Sequence, residues 1–129
     1  MTSHSDKITA LYKAVASGDL PTILATLSPD ISWTEAEGFP YAGTYVGPDA
    51  VVKRVFARLG SEWNGFAAVP HELVASGDTV VALGEYSGTY KATGKSFKAP
   101  FVHVWKFGGD RVISFRQHTD TAVVQRALR

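Results

Sequence analysis

Cysteine is absent from this chain of 129 residues, so no disulfide framework can form and thiolate chemistry is excluded. An excess of one charge is missing too: 13 basic and 12 acidic residues leave a net charge of +1, with no block of like charge. That balance gives nucleic acid or an anionic membrane no electrostatic footprint, and neither is expected as a partner. No apolar run approaches the roughly 18 residues of a spanning helix. The opening MTSHSDKITALYK has no apolar signal core. A soluble, cytoplasmic protein is therefore expected. His4, His71, His103 and His118 are scattered, without His-x-x-x-His spacing or a carboxylate cluster, so no metal and no cofactor is expected. Repeats and low-complexity tracts are also lacking.

What is present is apolar substance for one core: 45% of the residues are hydrophobic, and the length suits a single domain over residues 1–129. The most informative stretch is Pro100 to Asp120. It reads as two long strands joined at Gly108-Gly109-Asp110, because glycine-rich turns between alternating apolar runs mark a hairpin. Strand alternation puts Phe101, His103, Trp105 and Phe107 on one face, and Lys98, Val102, Val104 and Lys106 on the other. On the second strand Ile113, Phe115 and Gln117 alternate with Val112, Ser114, Arg116 and His118. His103 and Gln117 thus stand in rows of aromatics. They are either satisfied core residues or the polar floor of a pocket.

Upstream, Ile8, Leu11, Tyr12 and Val15 recur at helical spacing over Asp6 to Ala16, with Ser5 or Asp6 as cap and Gly18 as stop. Asp19 caps a second helix, with Pro21 in its first turn, and Ser28-Pro29-Asp30 ends it. Ile31 to Glu35 reads as a short strand with Trp33 and Glu35 on one face. A loop, Ala36 to Gly47, precedes a third helix that carries Val51, Val52, Val55, Phe56 and Leu59 and stops at Gly60. Trp63 and Phe66 lie in the linker that follows or at the start of the next strand. Phe66 to Ala75 is a strand that Pro70 assigns to an edge or a bulge. Thr79 to Tyr90 follows, with Gly84, Tyr86 and Gly88 on one face, and Thr121 to Leu128 forms a last helix. Helices followed by long antiparallel strands give an α+β fold. Three N-terminal helices wrap one face of a single curved antiparallel sheet and enclose a conical pocket.

These elements carry a resemblance. Ala16-Ser17-Gly18-Asp19-Leu20, Ser28-Pro29-Asp30-Ile31-Ser32-Trp33, Gly43-x-x-x-Gly47, Gly84-Glu85-Tyr86-Ser87-Gly88, Thr93-Gly94-Lys95 and Phe101-Val102-His103-Val104-Trp105-Lys106-Phe107 resemble the SnoaL-like, ketosteroid isomerase-related proteins of the nuclear transport factor 2-like superfamily. The resemblance spans nearly the whole chain and implies the cone fold. It also implies roles. The general base of ketosteroid isomerase is matched by Glu35, five residues after Asp30. Its protonated aspartate precedes a tetrad matched by Val104-Trp105-Lys106-Phe107, which puts His103 in the acid's place. The tyrosine of its oxyanion hole has Tyr12 as nearest counterpart, one residue short. One helical step turns a side chain by about 100°, so Tyr12 is expected to miss that tyrosine's position. In SnoaL-type cyclases an acid/base aspartate ends the last strand. Asp120 is in that region, although its residue type and place before a helix favour a cap.

The resemblance therefore implies a small hydrophobic ligand, carbonyl-bearing or cyclic, and cofactor-free acid/base isomerisation or cyclisation. Glu35, His103 and Asp120 are the catalytic candidates. Tyr12, Trp33, Phe56, Trp63 and Tyr86 are expected at the ligand, with Phe101, Trp105, Phe115 and Gln117. The competing class is a binding or interaction module of the same fold without chemistry. Dry aromatic surroundings would raise the Glu35 pKa and lower that of His103, whereas direct pairing would hold both charged. A homodimer through the outer sheet face is expected, since Val102, Val104 and Val112 would leave an apolar patch there.

Overall fold

The computed structural model describes residues 2–129. Helix α1 (His4–Ser17) starts two residues earlier than its apolar stripe suggests, because Ser3 is the cap. Ser3 Oγ accepts the Asp6 N–H at 3.1 Å, and the Asp6 carboxylate accepts the Ser3 N–H at 3.4 Å. This reciprocal box satisfies two otherwise unpaired donors. Gly18 ends the helix at φ 71°, a left-handed position that suits glycine. Asp19 caps α2 (Leu20–Thr26), as its spacing predicts, and accepts from Thr22 N at 3.3 Å.

Strand β1 runs over Leu27–Glu35, so Ser28-Pro29-Asp30 lies inside the strand rather than stopping before it. The irregularity is real all the same: the pairing of β1 shifts register between Leu27 and Ser32. The expected loop contains β2 (Gly43–Val46), which pairs antiparallel with β1. Gly60 does not end the third helical segment. It runs from α3 (Pro48–Val51) through a π-helical stretch (Val52–Phe56) into α4 (Ala57–Glu62). A π turn widens the helix by a residue and often marks a functional surface.

Strands β3 (Trp63–Ser76), β4 (Thr79–Tyr90), β5 (Ser96–Gly108) and β6 (Arg111–Thr119) form the meander. The sheet order is β2-β1-β6-β5-β4-β3. Here the expected all-antiparallel sheet is corrected: β1 and β6 run parallel, because the chain reaches β6 from the far side of the meander. The six-stranded sheet is curved, mixed and unclosed. As Pro70 requires, β3 lies at an edge and shifts register between Pro70 and Glu72. A Cβ at Gly84, paired with Pro70, would collide with the Val69 carbonyl and lie 2.5 Å from Phe101 Cζ, so only glycine lets the strands approach here. Helix α5 (Thr121–Ala127) closes the chain.

Burial along β5 alternates without a break from Phe97 to Phe107, confirming the inward row of Phe101, His103, Trp105 and Phe107. The β6 assignment fails at one end. A register shift between Lys106 and Phe107 pairs Phe107 with Val112, so Val112 is fully buried and Ile113 is 45% exposed. Val112 therefore does not belong to the outer patch. None of the helices is long and apolar enough to cross a membrane among the described residues.

Candidate functional site

The concave face and the helices enclose a cavity of about 820 Å³. Its helical wall is aliphatic, with Leu11, Ile23, Val52, Val55 and Leu59. Its deep end is aromatic and polar. Here Tyr12, Trp33, Glu35, Tyr86, His103, Trp105, Phe115 and Gln117 converge, while Phe56 and Trp63 line the sides. Two expected residues are elsewhere. Phe101 lies behind the wall, stacked on the His103 ring at 4.0 Å, and supports it without lining the cavity. Asp120 is exposed and accepts the Val123 N–H at 3.3 Å as the cap of α5, away from the cavity. Phe39 and Phe66 were not foreseen as lining residues. Phe39 was legible only as an aromatic inside a polar loop.

Glu35 ends β1 and is 4% exposed. Trp33, two residues earlier on the same face, donates its indole N–H to Glu35 Oε2 at 3.3 Å. No hydrogen bond or ion pair joins Glu35 to another charged group among the described residues; Glu35 lines the cavity, and its Oε1 has no hydrogen-bond partner among those residues. Burial in these surroundings pushes the carboxyl up from its ordinary 4.5 to about 8, and the Trp33 hydrogen bond only partly offsets that. Burial likewise holds His103 well below the usual histidine value, helped by the charge of His118. Of the two electrostatic outcomes open from the sequence, the dry one is found.

His103 is not free to meet a ligand. Tyr12 Oη lies 2.5 Å from its Nδ1, and Tyr86 Oη lies 2.5 Å from its Nε2. So Tyr12 reaches the cavity floor, where a ligand residue is expected, despite its one-residue offset. Trp105 Nε1 donates to Tyr12 Oη at 3.1 Å, and Gln117 Nε2 donates to Tyr86 Oη at 2.9 Å. The amide of Gln117 is oriented by the Ala36 N–H, which donates to its Oε1 at 2.9 Å.

Proton counting gives the consequence. A neutral imidazole has one N–H and one bare nitrogen. One phenol therefore donates to the bare nitrogen, and the other receives the N–H. The receiving phenol keeps its own proton, for which the network has no acceptor. One phenol O–H on the cavity lining is left without a protein acceptor.

A family model, the SnoaL-like domain, matches residues 8–115. The chain belongs to the SnoaL-like family. Among solved structures, an NTF2-like protein from Burkholderia thailandensis is 41% identical, with a TM-score of 0.95 over 100% of this chain and 99% of that one. TerC, co-crystallised with polyporic acid, is 25% identical, with a TM-score of 0.85 over 95% of each chain. A putative SnoaL-like polyketide cyclase from Jannaschia shares the fold at 19% identity, with a TM-score of 0.81 over 95% of this chain and 89% of that one. No curated protein matches the chain.

Proposed function

We propose that this SnoaL-like protein binds a small hydrophobic molecule, carbonyl-bearing or cyclic, and performs acid/base isomerisation or cyclisation on it without a cofactor. The observation that carries the proposal is the pairing of opposites at the cavity floor: a carboxyl without an ionic partner beside a spare phenol O–H. A proton shift next to a carbonyl needs a base near the carbon and a donor at the oxygen. Glu35 is the base. The spare phenol proton of Tyr12 or Tyr86 is the donor, and His103 holds both phenols in place. TerC, co-crystallised with polyporic acid, supports the ligand class by likeness. The test is a thermal-shift screen of cyclic ketones, enones and polyketide-like aromatics. Each binder is then incubated in deuterium oxide with wild type and with Glu35→Gln. Deuterium entering next to the carbonyl in wild type only supports the proposal. Equal exchange in both eliminates Glu35 as base, and no exchange with any tight binder favours the non-catalytic module.

The outer sheet face supports a second proposal, a homodimer. Val74, Val81, Leu83, Val102 and Val104 occupy adjoining outward positions on β3, β4 and β5. Val74 is half exposed. Light scattering giving a mass near 13.9 kDa at micromolar concentration would count against it.

A further inference from the structure

The two ends of the Tyr12–His103–Tyr86 chain are alike. Each phenol oxygen lies 2.5 Å from an imidazole nitrogen, and each already accepts one N–H, from Trp105 at 3.1 Å or from Gln117 at 2.9 Å. Each also lines the cavity. Hydrogen bonding marks out neither end as the one that must receive the imidazole proton. We infer that Tyr12, His103 and Tyr86 act as one tautomeric unit, and that its ligand is the enol of a cyclic β-diketone, with one oxygen on each phenol. This deepens the proposed function and rests on its reading of the cavity as a site for carbonyl-bearing rings.

In either tautomer one phenol presents a proton to the cavity. The other donates to His103, accepts one N–H and has a lone pair left. The floor thus offers one donor and one acceptor, separated by two hydrogen bonds and the width of an imidazole. A cyclic β-diketone enol offers the complement, a hydroxyl and a carbonyl conjugated through one carbon. The ring holds its oxygens apart, so the enol cannot satisfy itself internally, as an open-chain enol does. Turning the ligand over exchanges its donor and acceptor, and shifting the His103 proton exchanges those of the floor. Either orientation is served. The complex holds the enol proton, so a ligand that is ionised in solution takes up one proton when it binds. Glu35 on β1 and His118 on β6 are the other titratable groups acting on this unit.

The probes are dimedone, its O-methyl ether and isophorone, measured by calorimetry from below to above the ionisation of dimedone. The measurements are made in wild type and in Glu35→Gln, which removes one of the two outside titrations. Dimedone is expected to bind at least about tenfold more tightly than the ether or isophorone while it is un-ionised, and to lose about tenfold per pH unit above its ionisation. Tyr12→Phe and Tyr86→Phe are each expected to bring dimedone down to the level of isophorone, whose single carbonyl either phenol can serve. An independent readout is the ¹⁵N spectrum of His103 in the ligand-free protein. It should report a neutral ring with shifts averaged between the two tautomers. A single fixed tautomer, or equal affinity for dimedone and its ether, overturns the inference and leaves the proposed function standing. Binding of none of the three probes overturns both.

Discussion

The concave and convex faces of the sheet use one backbone for opposite purposes. Inside, polar atoms are buried among aromatics and almost all are paired: Glu35, His103 and Gln117 are each no more than 4% exposed. Outside, aliphatic side chains stand open to water between exposed charges, with Leu83 at 37% and Val74 at 50% exposure. Burying polar groups costs free energy unless each is satisfied, and exposing an apolar patch does nothing for a lone soluble fold. Each face departs from what stability alone would select. Under the proposed function the inner departure serves a ligand and the outer one a partner, and substitutions on the two faces should separate these effects.

The largest effect is expected from Glu35→Gln. The amide keeps the Trp33 hydrogen bond and the shape but cannot take a proton. Turnover should fall by ~10²–10⁴-fold with little change in affinity. The pH profile carries a sign. The base works when ionised, so the wild-type rate should climb with pH and level off above about 8. Stability runs the other way. The folded carboxyl holds its proton up to about 8, whereas the unfolded one releases it near 4.5, so wild type loses stability as pH rises through that window. Glu35→Gln lacks this loss, and its melting temperature should overtake that of wild type between those limits. Parallel melting curves at all pH values would remove the buried-acid reading.

His103→Phe comes next. It leaves two phenols without their imidazole partner, at about 1–3 kcal/mol each where no ligand or water replaces it. Again the sign can be checked. His103 is neutral when folded, while the unfolded imidazole takes a proton below about 6.5, so wild type loses stability as pH falls below that value. The deficit of His103→Phe should therefore shrink in acid. A deficit independent of pH would mean that His103 is not held neutral.

These contrasts were only partly legible in the sequence. Alternation fixes which side of β5 each residue takes, because a strand has a strict period of two, and it put His103 among aromatics and Glu35 beside Trp33 correctly. It failed wherever tertiary geometry breaks the period. The shift at Lys106 and Phe107 exchanged Val112 and Ile113 between faces. Strand β2 is four residues in a loop of Gly, Pro and Tyr, and exists only through its pairing with β1. Tyr12 shows the same limit. Its spacing along α1 is plain, but whether the phenol meets His103 depends on how the whole helix docks on the sheet.

On the convex face, Val104→Glu should convert a particle of roughly twice 13.9 kDa into one of that mass while leaving ligand binding unchanged. Val104 lies between His103 and Trp105 on the chain but points away from both, so this variant tests the two faces at adjacent residues. A charge there must either be desolvated in the interface or break it. Unchanged mass would remove β5 from any interface, and weakened binding would mean that the faces are coupled.

The smallest effect is expected from Asp120→Ala, a residue on neither face. Its carboxylate accepts the Val123 N–H at the start of α5, and Val124 and Ala127 of that helix are buried against the core. Losing a helix cap costs about 1 kcal/mol, enough to lower the melting temperature by a few degrees in a chain of this length. The same residue was a candidate acid by resemblance, and the two roles differ in what they do to turnover. A cap acts on the folded fraction, so at a temperature well below melting the rate per folded molecule should be unchanged. An acid/base acts in the transition state, and its loss would lower that rate by ~10²-fold or more. Asp120→Asn discriminates further. Asparagine caps as well as aspartate but cannot exchange a proton, so it should restore stability to Asp120→Ala with no change in rate. A slow, stable Asp120→Asn would return Asp120 to the catalytic set and require α5 to move toward the cavity during turnover.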